Sequence, residues 1–159
     1  MSAEKRSRAA WVARLCFPHL AGLDVLEIAC GTADFSLAAV ETARSVTAID
    51  LDDCRLSPAA RSTNGVRFQR MDASAMTFPD GSFDTAVLYN ALGHLTAILP
   101  EMLSEAFRIL RSGGTLIVCS SFSLDKTTME ERFLPLLLER GLPFSCQEEG
   151  PFHIIEIHR

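Results

Sequence analysis

Val25-Leu26-Glu27-Ile28-Ala29-Cys30-Gly31-Thr32-Ala33-Asp34-Phe35 is the stretch that decides how this chain folds. A short apolar run stops beside an acid, passes through small residues and opens into a helical pattern. A buried parallel strand feeds a helix in this way, and the helix N-terminus then faces a ligand. Small residues in the turn let a ligand approach the backbone, where bulky side chains would stand in the way. By itself the turn names no ligand.

Downstream, Ala33 to Ala43 fits a helix with Phe35, Leu37, Ala38 and Val40 available for packing. Ser45 to Asp50 reads as a second strand, β-branched and ending in an acid. Ser57-Pro58 has the form of an N-cap with proline at the first helical position, and Asn64-Gly65 closes that helix. Val66 to Arg70 is a third strand leading to Met71-Asp72. Ala73 to Met76 fits one helical turn, and Phe78-Pro79-Asp80-Gly81-Ser82 is a turn by composition.

Phe83 to Tyr89 is a fourth strand, with Asn90-Ala91-Leu92-Gly93-His94 leaving its end. From Leu95 to Leu110 apolar residues recur at three and four, and Pro100 marks the start of the regular helix. Gly113-Gly114 is expected to stop it, and Thr115 to Ser120 is a fifth strand. A helix from Thr127 to Arg140 has Met129, Phe133, Leu136 and Leu137 as its buried side. The last strands, Leu142 to Cys146 and Phe152 to His158, lie too close in sequence for a parallel crossover, so they form an antiparallel hairpin.

Upstream, Ser2 to Cys16 reads as an amphipathic helix with Ala3, Ala10, Trp11 and Leu15 toward one side. Lys5, Arg6, Arg8 and Arg14 form a basic face, either solvated or within reach of a phosphate-bearing substrate. Pro18 and Gly22 end that helix. Strand and helix thus alternate five times before a hairpin, which argues for an α/β fold with a parallel sheet covered on both faces. In such a sheet a ligand lies beyond the carboxyl ends of the strands, where the winding reverses.

The 159 residues are enough to bury ~70% of the unfolded chain's surface, and are expected to form one domain over residues 1–159. Within it, residues 1–20 carry the N-terminal helix, 23–120 the ligand-binding core and 121–159 a helix plus the hairpin. A net charge of −5 argues against a nucleic-acid footprint. Cys16, Cys30, Cys54, Cys119 and Cys146 lack paired CxxC spacing, so reduced thiols and no metal site are expected. No apolar run approaches the ~18 residues of a membrane span, and no apolar segment follows the basic N-terminus. A cytoplasmic location is the expectation.

Each strand end carries a residue suited to a ligand crevice: Glu27, Asp50, Asp72 and Tyr89-Asn90. Asp50 lies 19 residues after Gly31, a distance that suits an acid pairing with two ribose hydroxyls. This series resembles the class I S-adenosylmethionine-dependent methyltransferases, in particular the small-molecule group with a methyltransferase 11-like domain. Val25 to Ala33, Val46 to Asp50, Met71-Asp72-Ala73, Phe78 to Leu95 and Arg108 to Leu116 carry the likeness, in order.

The resemblance implies a Rossmann-like three-layer sandwich, its seven strands in the order 3-2-1-4-5-7-6 with the last antiparallel. It implies S-adenosyl-L-methionine as cofactor, S-adenosyl-L-homocysteine as product, and a small-molecule acceptor. Glu27 would bind the methionine amino group, and Ala29, Cys30 and Gly31 would pass the methionine moiety. Asp50 would hold the ribose with Leu51 against the adenine. Asp72 and Ala73 would recognise the adenine edge, and Asn90 would offer its carbonyl to the amino group.

Glycine usually stands in this family where the chain has Ala29 and Ala33, so each position adds a methyl group beside the cleft. The segments that roof the acceptor site in relatives are short here. That leaves a site that is open, closed by a second copy in a homodimer, or completed by a partner subunit. Candidates for a general base are His94 and Tyr89, with His19 behind them, whereas His153 and His158 read as structural. The alternative function is a non-catalytic cofactor-binding or scaffold subunit. A nicotinamide-dependent oxidoreductase is disfavoured because G-x-G-x-x-G would need glycines at Ala29 and Asp34.

Overall fold

A computed structural model describes residues 3–121 and 123–159, with the side chains of residues 3–7 and 124 outside that description. Seven strands form one sheet in the order β3-β2-β1-β4-β5-β7-β6. They are β1 (Asp24–Ile28), β2 (Ser45–Asp50), β3 (Val66–Arg70), β4 (Phe83–Tyr89), β5 (Leu110–Ser120), β6 (Phe144–Glu149) and β7 (Phe152–His158). The first five pair in parallel, whereas β7 runs antiparallel to both β5 and β6. The expected order and the antiparallel last strand are both present. The winding reverses between β1 and β4, which opens the crevice beyond their carboxyl ends.

Helices cover both faces. α1 (Ala3–Leu15) and α2 (Asp34–Ala39) lie on one, where Val12, Cys16, Phe35 and Ala39 pack on Val25, Val46, Val87 and Ile117. On the other, α4 (Leu99–Ile109) and α6 (Leu134–Glu139) bring Met102, Leu103, Ala106 and Leu137 onto Leu26, Ile28, Leu88, Val118 and Ile155. Each Val, Leu, Ile, Phe or Met side chain among them, wholly removed from water, contributes about 1.5–3 kcal/mol. The two clusters take alternate residues of the same strands, as the period of two requires. α3 (Pro58–Ser62) is capped as expected, the Ser57 hydroxyl accepting from the Ala60 amide at 3.2 Å.

Several helical expectations are corrected. α1 buries Ala9, Val12 and Ala13, with Cys16 buried just beyond its end, leaving Ala10, Trp11 and Leu15 half-buried; the small residues sit closest to the sheet and the larger ones flank them. The expected Ala3, Lys5 and Arg6 side chains lie outside the described residues. α2 stops at Ala39 and buries Asp34, Phe35 and Ser36, whereas Leu37, Ala38 and Val40 are only half-covered. Ala73 to Met76 is a turn rather than a helix, because the Asp72 carboxylate captures the Ser74 amide at 2.8 Å.

Helical structure after β5 begins earlier than expected, with α5 (Ser123–Thr128) leading through a π-helical stretch, Met129–Phe133, into α6. Gly113-Gly114 do not end α4. The helix stops at Ile109, Leu110 takes an extended backbone (φ −74°, ψ 142°), and it pairs with Phe83. Pairing resumes at Thr115 opposite Thr85, so the glycines lie in an irregular stretch of β5. A Cβ at Gly114 would stand 2.8 Å from the Asp84 carbonyl oxygen, which explains a glycine there.

Candidate functional site

The turn after β1 is held by a main-chain carbonyl and a side-chain carboxylate from the neighbouring strand. Past the end of β1, the Cys30 amide donates to the Ile49 carbonyl at 3.0 Å. One residue later the Gly31 amide donates to Asp50 Oδ2 at 2.8 Å, while Asp50 Oδ1 accepts from the Leu51 amide at 2.8 Å. The acid at the end of β2 therefore clamps the turn that follows β1. Each oxygen of a carboxylate has two lone-pair sites, so both keep capacity for a further donor.

Ala29 (φ 55°), Ala33 (φ 60°) and Asn90 (φ 50°) are the non-glycine residues with left-handed backbone among the described ones. Ala29 and Asn90 line the crevice, and Ala33 lies buried between the lining residues Thr32 and Asp34. Left-handed backbone costs a residue with a Cβ roughly 1–2 kcal/mol. Strain of that kind gathers at binding and catalytic sites, where surrounding structure enforces it. The turn thus keeps, with alanine, a backbone that glycine adopts more easily.

Two adjoining cavities open at this end of the sheet. The first, of about 180 Å³, includes Cys30, Gly31, Asp34, Tyr89, Asn90 and Ser121 in its lining. The second, of about 400 Å³, includes Asp50, Leu51, Asp72, Ala73, Leu95 and Ile98. Ala29, Arg55 and His94 line both. Expected site residues other than Glu27 and His19 therefore converge on one continuous crevice. Apolar Leu51, Ala73, Leu95 and Ile98 suit the flat ring of a base, with Asp50 placed to meet hydroxyl donors.

Glu27 lies beneath the turn and lines neither cavity. It is 1% exposed, and its Oε2 accepts from the amide (2.9 Å) and hydroxyl (2.5 Å) of Ser36 in α2. Burial outweighs those hydrogen bonds and pushes its carboxyl up to about 8. Its Oε1 and the Oδ1 of Asp34 are buried without a hydrogen-bond partner among the described residues. Asp34, 7% exposed, reaches the wall of the first cavity, and its Oδ2 accepts from the Thr32 hydroxyl at 3.0 Å. The unmet acceptor of Asp34, in the cavity wall, suits a ligand that brings N–H donors and positive charge.

Asn90 is already engaged. Its side-chain oxygen accepts from the Ser121 amide at 2.7 Å and hydroxyl at 3.2 Å, tying the end of β4 to the end of β5. Tyr89 stacks between Phe35 (centroids 5.8 Å apart) and Phe152 (6.1 Å), and burial pushes its phenol up, so it stays protonated at neutral pH. Asp72 is exposed, and its hydrogen bonds to Ser74 hold its carboxyl below the usual range. His94 is exposed at the mouth shared by both cavities.

His19 is a correction. It lies at the opposite end of the sheet, before β1, with Nε2 3.3 Å from Glu156 and its carbonyl accepting from the Thr85 hydroxyl. The loop at Pro18 enters β1 at its amino end, so His19 cannot reach the crevice. His153 pairs with Glu148 at 3.1 Å, and His158 Nδ1 lies 3.1 Å from the Thr115 hydroxyl, which fits their structural reading.

Sequence reasoning missed Asp34, Arg55 and Ser121 as lining residues. For Asp34 the available signal was an acid at the first position of the helix after the turn. Arg55 follows Asp50 by five residues in a loop whose direction no periodicity reveals.

The methyltransferase domain family model matches residues 25–114. A probable S-adenosylmethionine-dependent methyltransferase of Mycolicibacterium smegmatis is 31% identical over 98 residues, covering 62% of this chain and 38% of that protein. Demethylmenaquinone methyltransferase of Thermus thermophilus is 32% identical over 126 residues, covering 71% of this chain and 57% of that protein. The chain spans about half the length of the curated relatives it matches, or less. A SAM-dependent methyltransferase from Aquifex aeolicus shares the fold with a TM-score of 0.78 at 14% identity, over 99% of this chain and 98% of that one. With the family model covering more than half of its length, the chain belongs to the methyltransferase domain family.

Proposed function

We propose that this chain is an S-adenosylmethionine-dependent methyltransferase acting on a small-molecule acceptor by in-line displacement. The observation that carries the reading is the continuous crevice at the β1–β4 switch point, with Asp50 at one wall and the unmet acceptor of Asp34 at the other. Asp50 holds the ribose, with Leu51, Asp72 and Ala73 around the adenine. Ala29, Cys30 and Gly31 pass the methionine moiety, whose ammonium group meets Asp34. Glu27 acts from beneath, and Asn90 sets the far side. Names of the relatives, which include demethylmenaquinone methyltransferase, support a small organic acceptor.

When bound, the cofactor supplies an electrophilic methyl group on a sulfonium. The protein's task is then mostly geometric, since holding donor and acceptor in near-attack geometry supplies ~7–11 kcal/mol of a barrier. A base is needed only where the acceptor must lose a proton. His94, exposed at the shared mouth, suits that role. Tyr89 does not, because burial keeps its phenol protonated at neutral pH. Five free cysteines support a reducing, cytoplasmic setting. Where the mouth at His94 needs closing, a second copy or a partner subunit supplies the cover.

Calorimetric titration with S-adenosylhomocysteine, followed by transfer of a labelled methyl group to a panel of quinone, phenol and carboxylate acceptors, tests the proposal. Binding and transfer are expected. No heat at millimolar ligand overturns it, and binding without transfer to any acceptor assigns the cofactor-binding or scaffold role instead.

A further inference from the structure

We propose that Arg55 is the carboxylate anchor of the crevice, gripping the α-carboxylate at the amino-acid end of the donor. The proposal rests on the donor reading above and adds a residue to it. Arg55 leaves the loop after β2 and lays its guanidinium against the glycine turn; a Cβ built on Gly31 would stand 3.5 Å from the Arg55 Cζ. From there it lines both cavities, at the boundary where they join.

No hydrogen bond or ion pair engages its guanidinium among the described residues, unlike Arg44, Arg61, Arg70, Arg108 and Arg111, each tied to a carboxylate. An arginine held over a turn with five N–H donors unspent is built for a planar anion, which it takes by two parallel hydrogen bonds. Across the same small cavity, Asp34 presents a buried oxygen without a donor. An unmet acceptor and an unmet cation in one cavity of about 180 Å³ form the complement of a zwitterion. An α-amino acid end fits that pair, whereas a neutral tail does not.

The test compares two ligands that differ only in the carboxylate: S-adenosylhomocysteine and its decarboxylated analogue, which keeps the nucleoside, sulfur and amine. In calorimetry, Arg55→Gln is expected to weaken S-adenosylhomocysteine at least 10-fold and to leave the analogue within 2-fold of the wild type. Arg55→Lys, a cation without the planar fork, should restore part of the loss. A loss shared equally by both ligands overturns the proposal and assigns Arg55 to the nucleoside or the loop. Unchanged binding of S-adenosylhomocysteine overturns it as well. Thermal melts of the variants, expected to match the wild type because Arg55 is exposed, exclude a folding defect as the cause. If wild-type protein binds neither ligand, the donor reading itself fails.

Discussion

The Asp50 carboxylate accepts the Gly31 amide at 2.8 Å, so the acid that ends β2 is the clamp on the turn that follows β1. Its second oxygen accepts the Leu51 amide, also at 2.8 Å. The ribose-binding role proposed for Asp50 would therefore come with a structural one, and the two separate by substitution. Asp50→Ala removes both and is expected to weaken S-adenosylhomocysteine roughly 10–100-fold, at ~1.4 kcal/mol per decade. It also lowers the melting temperature, because two amides lose their acceptor. Asp50→Asn keeps one acceptor for the turn and should retain most stability while losing affinity. Equal affinity in all three proteins would show that Asp50 serves the turn alone.

The left-handed alanines make a prediction of opposite sign. Ala33 is fully buried at φ 60° and precedes the first residue of α2. Glycine relieves a strain of roughly 1–2 kcal/mol and gives back about 0.4–1 kcal/mol through the greater freedom of the unfolded chain. Ala33→Gly is thus expected to raise stability by up to about 1.6 kcal/mol, read as a higher urea midpoint with unchanged slope. A lower midpoint would mean that the Ala33 methyl packs better than its backbone is strained.

The ends of β2, β3 and β4 were legible because β-branched and apolar runs stop abruptly at acids and turns, whereas the strand order was implied by the resemblance to the class I methyltransferases. The crevice was legible too, since Asp50, Asp72 and Asn90 each sit at a strand end, and strand ends in a parallel sheet share one edge. Helix faces were less legible. Short helices such as α2 cover the sheet with small residues, Ser36 and Ala39, that carry no hydrophobic signal. The start of β5 escaped notice because Gly113-Gly114 looks like a helix stop while the real stop is the extended backbone of Leu110. Arg55 escaped because a side chain's reach across a loop has no period.

Glu27 links pH to stability. Its carboxyl, ordinarily near 4.5, is pushed to about 8 by burial. The folded protein therefore holds this proton more tightly than the unfolded chain does. The resulting stabilisation is complete below about pH 4.5 and is lost as pH rises through about 8. Glu27→Gln keeps an acceptor for the Ser36 amide and hydroxyl and has no proton to lose. Across pH 5 to 8 its stability relative to wild type is expected to rise, by at most ~1.4 kcal/mol per pH unit. Urea unfolding at both pH values checks this, and a constant difference between the two proteins would refute the burial argument.

Asp125 ties together the two loops at the far wall of the crevice. It is 2% exposed; Oδ1 accepts the Gly93 amide at 2.7 Å and Oδ2 the Ser120 hydroxyl at 2.9 Å. One loop carries His94 and the other Ser121, and both line the first cavity. Asp125→Ala leaves two donors without an acceptor, at about 1–3 kcal/mol for each one buried, and is expected to lower the urea midpoint markedly. Asp125→Asn keeps a carbonyl for Gly93 and turns an amide toward the Ser120 hydroxyl, which then accepts, so most of that stability should return. Hydrogen exchange at the Gly93 and Ser121 amides gives the local readout. Faster exchange is expected in Asp125→Ala at both, even under conditions where the sheet stays protected. Uniform loss of protection across the molecule would instead make Asp125 a general stability residue with no particular hold on the crevice.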